Sequence, residues 1–265
     1  MVFAFLVPLW RNRHFIPAAI SGEFKSRVAR SKIGTLWFVL QPLAMAAIYL
    51  LVLSEVLGAK LGGIDRQGAY AVYLLSGITA WGLFSEVLGR SVNMFLEYAN
   101  ILKKIKFPRI YIPLVILGSA LINNLLLLVC VAALIALNGF YPDLSWIALI
   151  PAMAVIVLLS LGLGITLGIL NIFSRDVAQI MTVVLNMWFW LTPIVYTPDA
   201  LSPVIRQFLE LNPMTPVVRV YHDVMVYHTM PDFQSLLYPT IVGTLLMSLS
   251  LFIFWKSGPD MVDAL

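Results

Sequence analysis

Between positions 182 and 193, Thr182, Asn186, Phe189, Trp190 and Pro193 recur at spacings of three and four, which aligns a hydroxyl, an amide and two aromatic rings on one helix face. Trp188 falls nearer the opposite side of that helix. Two more stripes follow the same spacing, Tyr70, Tyr73, Gly77, Trp81 and Phe84 in one run and Trp37, Gln41, Met45 and Tyr49 in another. The chemistry on offer is hydrogen bonding and ring stacking, with no proton to transfer. Each aromatic taken singly also fits a belt at a membrane interface. Gln41 and Asn186, however, lie well inside apolar runs, where an amide needs a partner or a wet cavity.

Covalent chemistry finds no comparable constellation. The histidines are His14, His222 and His228, and the last two stand six apart, on different faces of a helix, so a shared metal site is not expected. Within the apolar runs Glu86 has Arg90 four residues on as its expected partner. The chain contains no Gly-Lys-Ser/Thr phosphate loop, so it is not expected to be an ATPase of that kind. Cys130 sits among leucines and valines, as a packed or lipid-facing thiol would.

The elements that must position the stripes are membrane helices. Hydrophobic residues make up 61% of the chain and charged residues 11%, too little polar surface to cover a water-soluble globule. About 20 mainly apolar residues cross the hydrocarbon as a helix. Six runs qualify, at 34–58, 69–98, 110–140, 144–173, 177–198 and 233–256, the second only if it continues through Glu86 and Arg90. None shows the alternation of barrel strands. The expected fold is therefore an all-α polytopic membrane protein with one transmembrane domain over 1–265.

Arginine and lysine placement orients it. Arg11, Arg13, Lys25, Arg27, Arg30 and Lys32 precede the first run, Lys103, Lys104, Lys106 and Arg109 follow the second, and Lys256 follows the sixth. The opposite loops hold only Lys60, Arg66, Arg206 and Arg219. Both termini are thus expected in the cytoplasm, and the net charge of +4 is a topology signal better than a nucleic-acid one. The charged stretch between Arg11 and Lys32 argues against a cleavable signal peptide.

Three shorter elements stand out. Segment 1–33 includes "FIPAAISGEFKSRVARSK", an amphipathic helix suited to the cytoplasmic interface, where its cations meet anionic headgroups or dock a partner. The loop 99–109 interleaves lysines with Ile101, Leu102, Ile105 and Phe107 before Pro108. Segment 199–232 is rich in proline yet apolar. There Ser202-Pro203 and Thr215-Pro216 each place a hydroxyl before a proline, which predicts two short capped helices. Each is about half the crossing length, as in a re-entrant or interfacial hairpin between spans five and six.

Five stretches, "ARSKIGTLWFVLQPL" (29–43), "YLLSGITAWGLFSEVL" (73–88), "ILKKIKFPRIYIPL" (101–114), "SRDVAQIMTVVLNMWFWLTPIVY" (174–196) and "LNPMTPVVRVYHDVM" (211–225), together and in this order resemble the permease subunits of type 2 ATP-binding-cassette exporters. Within that family the likeness is to the polysaccharide branch, which exports lipid-linked O antigen, capsule or teichoic acid. The resemblance implies a homodimer with a pore between the copies, joined to two copies of a separate ATPase that binds ATP and Mg, in the bacterial cytoplasmic membrane. It implies a coupling surface for the ATPase at Lys25, Arg27, Arg30, Lys103, Lys104, Lys106, Phe107 and Pro108. It also implies re-entrant helices from Ser202 to His228 at the outer mouth, and Arg175-Asp176 matches the family's Arg-Asp before the fifth span.

A polymer too long to be enclosed must thread a continuous path that binds each sugar weakly, and aromatic faces do so. Tyr73, Trp81, Trp188, Phe189 and Trp190 are expected to include pore-lining residues, with Asn186 and Gln41 bonding hydroxyls. A second reading, a drug or small-lipid exporter of the same family, carries the expectation of a more closed and less aromatic path. A membrane enzyme or secondary transporter is disfavoured by the lack of ionisable groups at mid-membrane.

Overall fold

The computed structural model describes residues 15–29, 36, 40, 44, 69–104, 109–137, 141–257 and 261. Among these, helices form throughout and no strand occurs. In chain order they are α1 (Phe15–Ala29), α2 (Ala69–Glu97), α3 (Ala99–Lys104), α4 (Tyr111–Leu137), α5 (Leu149–Phe173), α6 (Asp176–Trp190), α7 (Pro203–Glu210), α8 (Met214–Met225) and α9 (Leu237–Lys256). Short 3-10 turns lead into α5 at Leu144–Ala148 and into α9 at Phe233–Leu236. A helix is the one element that satisfies its own backbone inside hydrocarbon, so apolar runs of this length take it.

Four described helices are long and apolar enough to cross a membrane, Ala69–Glu97, Tyr111–Ala136, Leu144–Phe173 and Phe233–Lys256. Of the other two expected spans, 34–58 lies outside the described residues apart from 36, 40 and 44, and 177–198 differs. That run is α-helical only as far as Trp190, the end of the 15-residue α6, and turns follow through Tyr196. The chain leaves the helix there because Pro193 cannot continue it. The carbonyls so freed find side-chain donors. Tyr70 Oη donates to the Val195 carbonyl (2.8 Å), Tyr73 Oη to those of Pro193 (3.2 Å) and Tyr196 (3.0 Å), and Asn212 Nδ2 to that of Leu191 (3.1 Å). Irregular buried backbone is tolerated only with partners of this kind.

Helix α2 is the hub, packed on α4, α5, α6 and α8, while α9 packs on the far side of α5. Its contact with α5 is close because Gly164 and Gly168 face Ser91, and a Cβ at Gly168 would stand 2.5 Å from the Ser91 carbonyl oxygen. Exposed Leu125, Leu126 and Val129 on α4, and Ile241, Leu245 and Phe252 on α9, leave apolar faces that suit lipid.

The predicted pair of short helices is present as α7 and α8, but neither hydroxyl caps them. Ser202 precedes Pro203 at the first helical position and makes no side-chain cap bond. Thr215 lies inside α8, which begins one residue earlier at Met214, because the Asn212 side chain accepts from the Met214 amide (3.0 Å). The N-cap is Pro213, and the Asn212 carboxamide one residue before it satisfies the first helical amide.

Candidate functional site

The aromatic residues converge where α2 meets α6. Trp81, on α2, stands 6.4 Å from Trp188 and 5.9 Å from Phe189, centroid to centroid, both edge-on. Phe84 meets Trp188 edge-on at 5.0 Å and Trp81 at 5.4 Å. Phe189 and Trp190 are in turn perpendicular at 5.5 Å. Edge-to-face contacts of this kind fix ring orientations beyond what burial alone would do.

The cluster grades from inside to outside. Trp81 is 8% exposed, Trp188 and Phe189 are half-buried, and Trp190 is 56% exposed. No residue of α6 is fully buried. Its outward face carries Ile180, Val183, Met187 and Trp190 among the exposed apolar residues, with Thr182 and Asn186 exposed between them. Asn186 Nδ2 donates to the Thr182 carbonyl (2.9 Å), and Thr182 Oγ1 to that of Ala178 (3.0 Å). The two polar side chains thus lie along their own helix, and the Asn186 amide oxygen stays on the exposed face.

Tyr73 is 2% exposed and stacks on His222 of α8 at 3.7 Å and 15°. One turn further on, Gly77 lets the Ile194 backbone and His222 approach, since a Cβ there would lie 3.0 Å from Ile194 Cγ2 and 3.2 Å from His222 Nε2. Burial pushes the His222 pKa down to about 3, opposed by a hydrogen bond with the Tyr73 backbone, and nearby Arg219 lowers it further. The imidazole is therefore neutral. Asp223, beside it, is held above the ordinary carboxyl range by burial, against the pull of Arg219.

Sequence reasoning missed the residue that ties the region together. Asn212 accepts from Trp188 Nε1 (2.9 Å) and the Met214 amide (3.0 Å), and donates to the Leu191 carbonyl (3.1 Å) and Thr192 Oγ1 (2.9 Å). One amide thereby joins α6, the turn after it and α8. Its placement before Pro213, where a helix pair must turn, was the available signal.

A second polar assembly lies at the other end of α2. The expected Glu86–Arg90 pair is present at 3.4 Å, yet the closer partner of Arg90 is Glu23 of α1, at 2.5 Å. Arg90 Nη1 also donates to Ser119 Oγ (2.9 Å), Ser119 donates to Glu23 Oε2 (3.0 Å), and Asn123 donates to Glu86 Oε1 (2.7 Å). Two carboxylates around one guanidinium, closed by a hydroxyl and an amide of α4, bind α1 to the hub. A lone acidic residue inside a basic amphipathic stretch was the clue to Glu23.

The remaining predicted residues divide between described and undescribed. Lys25 on α1 and Lys103 on α3 are exposed. Arg27 belongs to the last turn of α1 and Lys104 ends α3. Gln41, Arg30, Lys106, Phe107 and Pro108 lie outside the described residues. No group of three or more histidine, cysteine, aspartate or glutamate side chains suited to a metal occurs among the described residues.

Comparison with known proteins gives a consistent result. Residues 16–226 match the family model described as ABC-2 type transporter. An O-antigen export system permease protein, RfbA, of Klebsiella pneumoniae is 28% identical over 232 residues, 87% of each chain. Its namesake in Myxococcus xanthus is 24% identical over 261 residues, 97% of each. The polysialic acid transport protein KpsM of Escherichia coli is 20% identical over 247 residues, 89% of this chain and 92% of KpsM.

Proposed function

Because this chain belongs to the ABC-2 type transporter family, we propose that it is the channel-forming permease subunit of an ATP-driven exporter that moves lipid-linked polysaccharide across the bacterial cytoplasmic membrane. Two copies work with two copies of a separate ATPase, which binds ATP and Mg and supplies the energy. The observation that carries this reading is the uncovered face of α6, where Thr182, Asn186 and Trp190 are exposed in a span otherwise too apolar to need them.

The path runs between the two copies along this face. Trp190 and Asn186 meet the polymer, the ring by stacking and the amide by bonding hydroxyls, and Gln41 is assigned to the same wall. Phe189 and Trp188 form the layer behind. Trp81 and Tyr73 contribute by holding that layer and the turn after it rigid. Stacking on apolar sugar faces tolerates changes of sequence and orientation, which a moving polymer requires.

Six spans complete the subunit, the four long helices together with 34–58 and 177–198, and both termini are cytoplasmic. Helices α7 and α8 make a re-entrant hairpin at the outer mouth. Helix α1 lies in the cytoplasmic interface, and Lys25, Arg27, Arg30, Lys103, Lys104, Lys106, Phe107 and Pro108 form the surface that receives the ATPase. Displacement of α1 reaches the hub directly, because Glu23 is bonded to both Arg90 and Ser119.

Deleting the gene should cause lipid-linked glycan to accumulate inside the cell. Restoring this chain together with its ATPase should return the glycan to the surface. A deletion strain with normal surface glycan and no internal accumulation would overturn the reading.

A further inference from the structure

Beside the proposed mouth of the path, a cavity of about 310 Å3 opens between α7, α8 and the 193–199 turn, with Tyr73 at its inner wall. Its size is at the lower end for small-molecule pockets, which run from roughly 300 to 1,000 Å3, and leaves room for about one or two sugar rings.

Its lining departs sharply from the apolar surfaces around it. Asp199, Glu210 and Asp223 supply three carboxylates, and Arg206 and Arg219 supply two guanidiniums, a formal balance of −1. That balance disfavours a phosphate or pyrophosphate group, which seeks a cationic site. It suits an uncharged molecule dense in hydroxyls, since carboxylates accept from hydroxyls and guanidiniums donate to them. The Arg206–Asp199 pair, at 3.4 Å, has side chains 44% and 90% exposed, so it is weak and can exchange partners at little cost.

Two further features point to a ligand. Thr215 lines the cavity at 2% exposure, and its buried Oγ1 has no hydrogen-bond partner. A buried hydroxyl in that condition calls for an explanation, and a ligand hydroxyl would supply one. Tyr227, 40% exposed at the rim, presents an aromatic ring. Sugars are commonly held between planar polar groups and such a ring.

The cavity also adjoins the path through the backbone. The turn that walls it begins at Trp190, and Tyr196 Oη donates back to the Trp190 carbonyl (3.0 Å). Tyr73 pins the same turn while stacking on His222 of α8.

We propose that this cavity is a saccharide subsite at the outer mouth, which holds about one or two uncharged sugar rings of the polymer as it leaves the path. The assignment rests on the reading of this chain as a polysaccharide permease.

The test uses the complete transporter, both subunits together, in lipid nanodiscs. The probe is oligosaccharide released by mild acid hydrolysis from the polymer that the same cells export, and binding is read by saturation-transfer NMR and titration calorimetry. Arg219→Gln and Glu210→Gln both alter exposed residues, so each should keep the wild-type melting temperature. The oligosaccharide should bind wild type, and each variant should bind it about tenfold more weakly, the loss of one charge-assisted hydrogen bond. Inorganic pyrophosphate should not compete. Equal oligosaccharide affinity in wild type and both variants overturns the subsite, as does displacement of the probe by pyrophosphate. The deletion strain separates the two claims. Internal glycan accumulation together with unaltered binding by the variants removes only the subsite, whereas no accumulation removes the export reading and the subsite with it.

Discussion

Helices α2 and α6 carry the same kind of stripe, aromatic rings spaced three and four apart with a small or polar residue between them, and the structure places them in opposite environments. Among the described residues helix α2 packs against α4, α5, α6 and α8, and its Tyr73 and Trp81 are among the buried core. Helix α6 has no buried residue, and Trp190 is 56% exposed. The stripe on α2 is spent on holding chain to chain, with Tyr73 taking backbone carbonyls of the turn and Trp81 wedged against Phe84, Trp188 and Phe189. On α6 the exposed members of the stripe, Thr182, Asn186 and Trp190, face out of the subunit. A pattern of residues thus specifies a surface, and the number of neighbouring helices decides what that surface serves.

Two substitutions should have large structural effects and break the comparison if they do not. Trp81→Ala removes a buried indole from the cluster and should destabilise the fold by about 3–5 kcal/mol, as large-to-small changes in a core do. The expected readout is loss of membrane-inserted protein in quantitative blots, and a variant of normal abundance would show that α2 is not the hub. Arg90→Ala leaves Glu23 and Glu86 facing one another without their cation. Their side chains are 16% and 27% exposed, so solvent screens part of the repulsion, and about 2–3 kcal/mol is expected. The melting temperature in detergent should fall, and Glu23→Gln in the same chain should recover part of the loss. No recovery would mean that Glu23 is an incidental neighbour.

These two cases also show what was legible in the sequence. The stripe containing Trp81 could be read because a period near 3.6 is local, and so could the Glu86–Arg90 pair, four residues apart on one helix. The bond from Glu23 to Arg90 spans 67 positions and depends on how α1 lies across α2 and α4. Helix period carries no information about such an approach. The pair 203–225 was likewise legible as two short helices. Its starts were not, since Ser202 and Thr215 both suit a capping role and neither takes it, while the Met214 amide bonds to Asn212, which Trp188 also holds. Gly164 and Gly168 let α5 approach α2 closely, and their spacing of four does not name the partner helix.

A third prediction sharpens the comparison at the point where α2 meets α8. His222 has a folded pKa near 3, against about 6.5 when unfolded. The unfolded chain therefore binds a proton first as pH falls. The contribution of neutral His222 is fully present above pH 6.5, and it is lost progressively between pH 6.5 and about 3. At pH 5.5 the loss should be on the order of 1 kcal/mol. Melting temperature measured between pH 7.5 and 5.5 should decline in wild type, and the decline should be shallower in His222→Asn. Equal slopes would show that His222 reaches solvent and that its stack on Tyr73 opens.

The smallest structural effect, and the one that most directly separates the two stripes, belongs to Trp190→Ala. With over half its surface already exposed, the indole gives up little burial when truncated, so stability should change by less than about 1 kcal/mol. Its contact with Phe189 is lost, yet the Trp188–Asn212 bond and the Tyr73-pinned turn stay in place, since neither uses the Trp190 side chain. Export is a different matter if this ring meets the polymer. Removing one stacking contact of about 0.5–1.5 kcal/mol should slow the appearance of surface glycan roughly two- to tenfold at unchanged protein abundance. Trp190→Phe keeps a stacking face and should restore most of the rate, which a requirement for bulk packing or for the indole N–H would not predict. The pairing with Trp81→Ala makes the outcome decisive: loss of protein in one variant and loss of rate without loss of protein in the other is the signature of a buried stripe and a conducting one. Normal export by Trp190→Ala would leave the exposed face of α6 to lipid or to the second copy, and the path would have to be sought on another helix.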